Sequence, residues 1–110
     1  MNFYIADSIA KVKFDDVNIG MDDELVEYLY VIKKNNPNVA SIFYYLDPYG
    51  DVELQKEDIE DLIGFCRYIL EADLLQRYEE KEEAVDTLND IISICLKAIK
   101  EGKNIVSIGD

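Results

Sequence analysis

Carboxylates are the reactive side chains this sequence has in quantity. It carries 24 Asp and Glu against 11 Lys and Arg, and no histidine. Paired carboxylates can divide general acid and base work, or hold a divalent cation. One dense set, Asp47, Asp51, Glu53 and Asp58, lies in and just after Asp47-Pro48-Tyr49-Gly50-Asp51. A calcium-binding EF-hand loop wants acids at its first, third and fifth positions, glycine at the sixth and glutamate at the twelfth. Begun at Asp47, the loop has Tyr49 third, Val52 sixth and Asp58 twelfth; with Gly50 sixth, it runs from Tyr45 to Lys56. Neither register holds calcium. The expectation is a structural turn, with proline pre-setting φ and glycine supplying positive φ.

Other chemistries fail on missing parts. Without histidine, the sequence lacks the usual general base of serine and cysteine nucleophiles, and it has no Gly-x-Ser-x-Gly elbow. No Gly-rich loop is spaced to cradle phosphates. A Mg²⁺ phosphotransfer site would recruit basic residues, yet the only arginines are Arg67 and Arg77. Cys66 and Cys95 each sit among aliphatics, with no second cysteine nearby for a zinc site, and are expected as buried thiols. No catalytic residue, metal or cofactor is expected. A carboxylate metal enzyme remains an alternative that needs at least three converging acids.

The elements that must position these residues read as one small α+β domain, a short antiparallel sheet with about three helices. Phe3 to Ala6 is strand-like, and Ala10-Lys11-Val12-Lys13-Phe14 alternates as an edge strand with lysines outward. Residues 21–34 fit a helix with Asp22, Asp23 and Glu24 at its amino end, although Val26 to Val31 also has strand composition. Ser41 to Leu46 and Val52 to Leu54 are expected to form a hairpin about the Pro-Tyr-Gly turn. A helix carrying Ile59, Leu62, Ile63, Cys66, Ile69 and Leu70 follows. A second, from Glu79 to Lys100, has Ala84, Leu88, Ile91, Ile92, Cys95 and Ile99 as its stripe. Gly102 stops it, and Asn104 to Ile108 returns as a strand.

Charge and aromatic residues are mixed in two stretches. Asp47 to Asp61 holds seven acids and one lysine, and Glu71 to Asp90 holds eight acids and two basic residues. On a helical wheel Asp61, Phe65 and Tyr68 fall opposite the apolar stripe. An outward Phe and Tyr among carboxylates has the composition of an interface with a basic partner. Tyr49, at a turn tip, is suited to recognition. The expected partner-binding residues are therefore Asp47, Tyr49, Asp51, Asp58, Asp61, Phe65 and Tyr68, with Glu79, Glu80, Glu82 and Glu83 as a second patch. A solvated charged face is the competing interpretation.

Composition narrows the partner. At 110 residues and 49% hydrophobic, the chain can bury a core without disulfides. No apolar run nears the ~20 residues of a membrane span. A net charge of -13 opposes contact with nucleic-acid phosphates. The first residues lack the basic and long apolar regions of a signal peptide, so a cytoplasmic setting is expected.

The segment Leu46-Asp47-Pro48-Tyr49-Gly50-Asp51-Val52-Glu53-Leu54, followed by an amphipathic helix, resembles a stretch in small immunity proteins of bacterial contact-dependent and polymorphic toxin systems. The short acidic α+β profile is similar to theirs as well. The resemblance implies a non-enzymatic inhibitor of a basic toxin domain, often a nuclease. An acidic regulatory module that mimics DNA is the alternative, and it would need carboxylates arrayed at phosphate-like spacing.

Overall fold

Phe3 and Ile5 face one side of a sheet while Tyr4 and Ala6 face the other, and both sides are covered. A computed structural model describes residues 1–13, 15–36, 46, 47 and 49–109. The strands are β1 (Asn2–Ala6), β2 (Asn18–Gly20), β3 (Asp51–Leu54) and β4 (Asn104–Ile108), and the helices α1 (Asp23–Asn35), α2 (Lys56–Glu71) and α3 (Lys81–Glu101). All pairings are antiparallel, in the order β2-β1-β4-β3. The α+β class is as expected.

The register defines the two faces, because directly opposed residues point the same way. Phe3 stands opposite both Ile19 and Ser107, Ser107 opposite Val52, and Ile105 between Ile5 and Leu54. This set packs into the same core as the helices; Phe3, Leu54 and Ile105 are wholly buried there. On the reverse face Tyr4, Ala6 and Val106 are buried too. A 3-10 turn, Ile9–Lys11, lies near β3 at the far side of the sheet from β2.

Each helix starts and stops for local reasons. Asp22 caps α1, its carboxylate accepting the Leu25 N–H at 2.9 Å. α2 opens with a capping box in which the Asp58 carboxylate accepts the Gln55 N–H at 3.1 Å, and the Gln55 side chain serves the N–H of Asp58 in return. α3 ends at Gly102, whose φ of 67° is left-handed. The buried stripes are Leu25, Leu29 and Ile32 on α1, Ile59, Leu62, Ile63, Cys66 and Ile69 on α2, and Ala84, Leu88, Ile91 and Cys95 on α3. Leu70, Ile92 and Ile99 are only partly buried at the stripe edges.

One expectation needs correction. The segment expected as an edge strand contains the 3-10 turn instead, and Ala10 is exposed rather than inward. Local bonds account for this: Lys11 N–H reaches Ser8 O and Val12 N–H reaches Ile9 O. The Asp16 carboxylate then takes the Lys13 N–H at 3.0 Å. A short polar side chain such as that of Asp16, bonding to the nearby backbone, competes with a sheet ladder. Phe14 lies outside the described residues, and the edge position belongs to β2. For the expected hairpin, residues 41–45 also lie outside the described residues. β3 pairs with the distant β4. Among the described residues, no helix is long and apolar enough to cross a membrane.

Candidate functional site

The acids at the amino ends of α1 and α3 are each explained by their own helix, since negative charge there complements the macrodipole. Nothing in either helix alone requires the two ends to meet. They do meet, and the meeting makes a cleft of about 500 Å³ bordered by Asp22 and Asp23 on one side and Tyr78, Glu80 and Glu83 on the other. Met1, Met21, Leu25 and Ala84 supply apolar wall, and Asn2 and Thr87 add neutral polar groups.

Aromatic packing brings the ends together. Tyr28 of α1 contacts Tyr78, in the lead-in to α3, at a ring separation of 4.9 Å, and its hydroxyl donates to Leu74 O at 3.1 Å. The Tyr78 hydroxyl oxygen is buried and has no hydrogen-bond partner among the described residues. Burial raises its pKa first, and the charges of Asp22, Glu24, Glu80 and Glu83 raise it further. Glu80 is exposed, yet its carboxyl is held above the ordinary glutamate range. The charge of Glu83 contributes most, followed by partial loss of water and the charges of Glu24, Asp22 and Glu79. The lysine at the head of α3, Lys81, forms an ion pair with Asp73 at 3.1 Å. Negative charge at this cleft is therefore undercompensated.

The turn at Asp47 forms a second acidic surface. The Asp47 carboxylate accepts the Tyr49 N–H at 2.8 Å, and Gly50 N–H closes the turn onto Asp47 O at 3.3 Å. Gly50 does not have positive φ, contrary to expectation. Its role is space: a Cβ there would lie 2.6 Å from Asp47 Oδ2. Tyr30 of α1 anchors the base of the turn by donating to Leu46 O. The result projects Tyr49, 82% exposed, with Asp47 and Asp51 exposed beside it.

The remaining expected residues divide. Asp61 is exposed, and Asp58 is half-buried and spent in the α2 cap. Tyr68 is half-buried, its hydroxyl donating to Asn36 Oδ1 at 3.0 Å. Phe65 was expected to point outward and is instead wholly buried. α2 is covered on more than one side: by the sheet, by α3, and at Tyr68 by the end of α1. Its buried arc is therefore wider than a single stripe.

The second expected patch, Glu79, Glu80, Glu82 and Glu83, is exposed as anticipated. Its extension by Asp22 and Glu24 and its aromatic support at Tyr78 were not visible in the sequence. Cys66 and Cys95 are both free and buried. Among the described residues, no group of three or more acidic or cysteine side chains is placed to hold a metal ion. Comparison with protein-family models, curated proteins and solved structures gave no match.

Proposed function

We propose that this protein is a non-enzymatic binding protein for a basic protein partner, acting in the manner of a cytoplasmic immunity protein that neutralises a toxin domain. The observation that carries this reading is the convergence of Asp22 and Glu24 with Glu80 and Glu83 around Tyr78. Repulsion among these carboxylates is tolerated in the lone chain and would be relieved by a cationic surface. A toxin that binds nucleic acid offers such a surface. Long-range attraction would speed its capture, and burial of the contact would block the toxin's positive cleft. The exposed Tyr49, with Asp47 and Asp51, supplies a second contact of the kind rich in binding energy. Asp61 lies free to add charge, whereas Phe65 has no part in the surface.

The test begins with the gene immediately upstream: if it encodes a large secreted protein with a basic carboxyl-terminal domain, that domain is assayed for association with this chain. Binding should be fast at low salt and slow steeply as salt rises. The double variant Glu80→Lys with Glu83→Lys should lose most of the rate, and co-production of the wild-type chain should rescue growth from the domain. Failure of the domain to bind at low salt would sink the reading for that pair.

A further inference from the structure

We propose that an extended segment of the basic partner adds to the sheet along the outer edge of β2, its basic side chains meeting the carboxylates that bracket this strand. Such docking presupposes the basic partner proposed above and specifies how one part of it is held. The register shows which backbone groups face outward. Met21 N–H donates to Met1 O at 2.8 Å and the Met1 nitrogen donates to Met21 O at 3.3 Å, so these residues form a hydrogen-bonded pair just beyond β2. Antiparallel ladders alternate such pairs with non-bonded ones. Along the same register Phe3 bonds Ile19, whereas Gly20 opposite Asn2 and Asn18 opposite Tyr4 do not bond across. Asn18 and Gly20 therefore turn N–H and C=O away from β1. β2 is outermost in the sheet among the described residues, so no strand meets those groups there. An edge of this kind accepts a strand from another chain.

Charge selects the occupant. Asn18-Ile19-Gly20 carries neither charge nor proline, the usual devices that close an edge. Its flanks are strongly acidic: from Asp15 to Glu24 there are five acids and no basic residue. Asp15 and Asp16 precede the strand, and Gly20 lines the acidic cleft beside Asp22 and Asp23. A second copy laid along this edge would set acidic flanks against acidic flanks in either direction, whereas a strand with basic ends neutralises both. The middle of the edge asks for apolar side chains. Ile19 lines a groove of about 400 Å³ with Ile5 and Ile94, and Val17 lines it while 88% exposed. Across this groove Lys97 and Lys103 are offset by Asp90 and Glu101, so the selection comes from the flanks of the strand. The fitting segment is extended, apolar at its centre and basic at both ends.

The probe is a peptide of about eight residues, an ordinary strand length, with valine and threonine alternating at its centre and two lysines at each end. Added to the full chain at low salt, it should slow amide hydrogen exchange at Asn18 and Gly20, while Ile19, already bonded to Phe3, changes little. N-methylation of the central peptide nitrogens keeps the charge and removes the ladder donors from both edges; it should weaken binding roughly tenfold or more. The double variant Asp15→Lys with Asp23→Lys, at exposed positions, should do the same. A peptide with glutamate in place of lysine should not bind. No binding of the lysine peptide, or binding that ignores N-methylation and leaves exchange at Asn18 and Gly20 unaltered, overturns the proposal. Either result leaves the immunity reading to be decided separately, by association with the basic domain and rescue of growth.

Discussion

Tyr28 and Tyr78 meet with ring centroids 4.9 Å apart and planes inclined at 57°. This contact holds the acidic end of α1 against the acidic end of α3, opposing the repulsion between them. Tilted aromatic pairs are worth roughly 0.5–1.5 kcal/mol beyond their buried area. The fold therefore balances packing against charge at the place where the charge is proposed to act.

The hydroxyls on these rings differ in value. Tyr28 spends its own on Leu74 O, whereas the oxygens of Tyr78 and Ser107 are buried without partners among the described residues. Removing an unpartnered buried hydroxyl relieves a desolvation cost, while removing a bonded one loses about 1 kcal/mol. Tyr78→Phe and Ser107→Ala should leave stability unchanged or raise it by up to about 1 kcal/mol, and Tyr28→Phe should lower it. Urea unfolding midpoints would decide; a clear loss in Tyr78→Phe or Ser107→Ala would mean the hydroxyl is satisfied.

Glu80 gives a pH signature of definite sign. Its carboxyl is raised in the folded state, chiefly by Glu83, so the folded chain binds this proton more tightly than the unfolded chain does. At neutral pH, where the group is ionised, it costs stability; the cost fades as pH falls through the raised value and into the ordinary glutamate range. Glu80→Gln should therefore raise the Tm at neutral pH, with the advantage shrinking below that range. A gain equal at both pH values would point to a cause other than charge.

At the exposed turn, Gly50 and Asp47 should behave as a coupled pair. A methyl at Gly50 presses on the Asp47 carboxylate, and such overpacking costs about 1–3 kcal/mol. Asp47→Ala alone loses the bond to the Tyr49 N–H, about 1 kcal/mol. The double variant should cost clearly less than the two combined, because Asp47→Ala clears the space that Gly50→Ala needs. Additive costs in a double-mutant cycle would show that the methyl is resisted by something else.

The two thiols should be inert. Burial pushes Cys95 up to about 12, and Cys66 is pushed higher still by burial and then by the charge of Cys95. Nucleophilic thiolate is then scarce at mild alkaline pH. A disulfide reagent should titrate neither cysteine rapidly in the native protein and both in denaturant. Fast native labelling would place one of them at the surface.

Much of this fold can be read from periodicity and capping chemistry. Asp22 before an apolar stripe, the acids opening α3 and Gly102 closing it are local devices, and each helix follows from them. Strands were harder. Lys11 and Lys13 alternate with apolar residues over too short a span to outweigh the local backbone turn at Ser8 and the Asp16 carboxylate, while β2 is only Asn18-Ile19-Gly20. The candidate site divides the same way. The turn holding Tyr49 is written in Asp47 and Gly50, although glycine was needed for room and not for φ. Phe65 misled because a wheel describes a helix packed on one side. The cleft at Tyr78 depends on two helix ends distant in sequence, and no local pattern encodes their approach.

The place of β4 has a consequence for how the chain acquires its structure. This strand, residues 104–108, sits between β1 and β3 and among the described residues is the only link between them in the sheet. During synthesis the first strand must wait for nearly the whole domain to leave the ribosome before it gains its central partner. The α2–α3 hairpin can assemble earlier from local contacts, but the sheet is delayed by long-range closure, which slows folding. Until then Phe3 lacks its neighbour Ser107, and the inner edge of β1 stays open. In this topology the carboxyl-terminal strand β4 has to be inserted between two other strands rather than added at an edge.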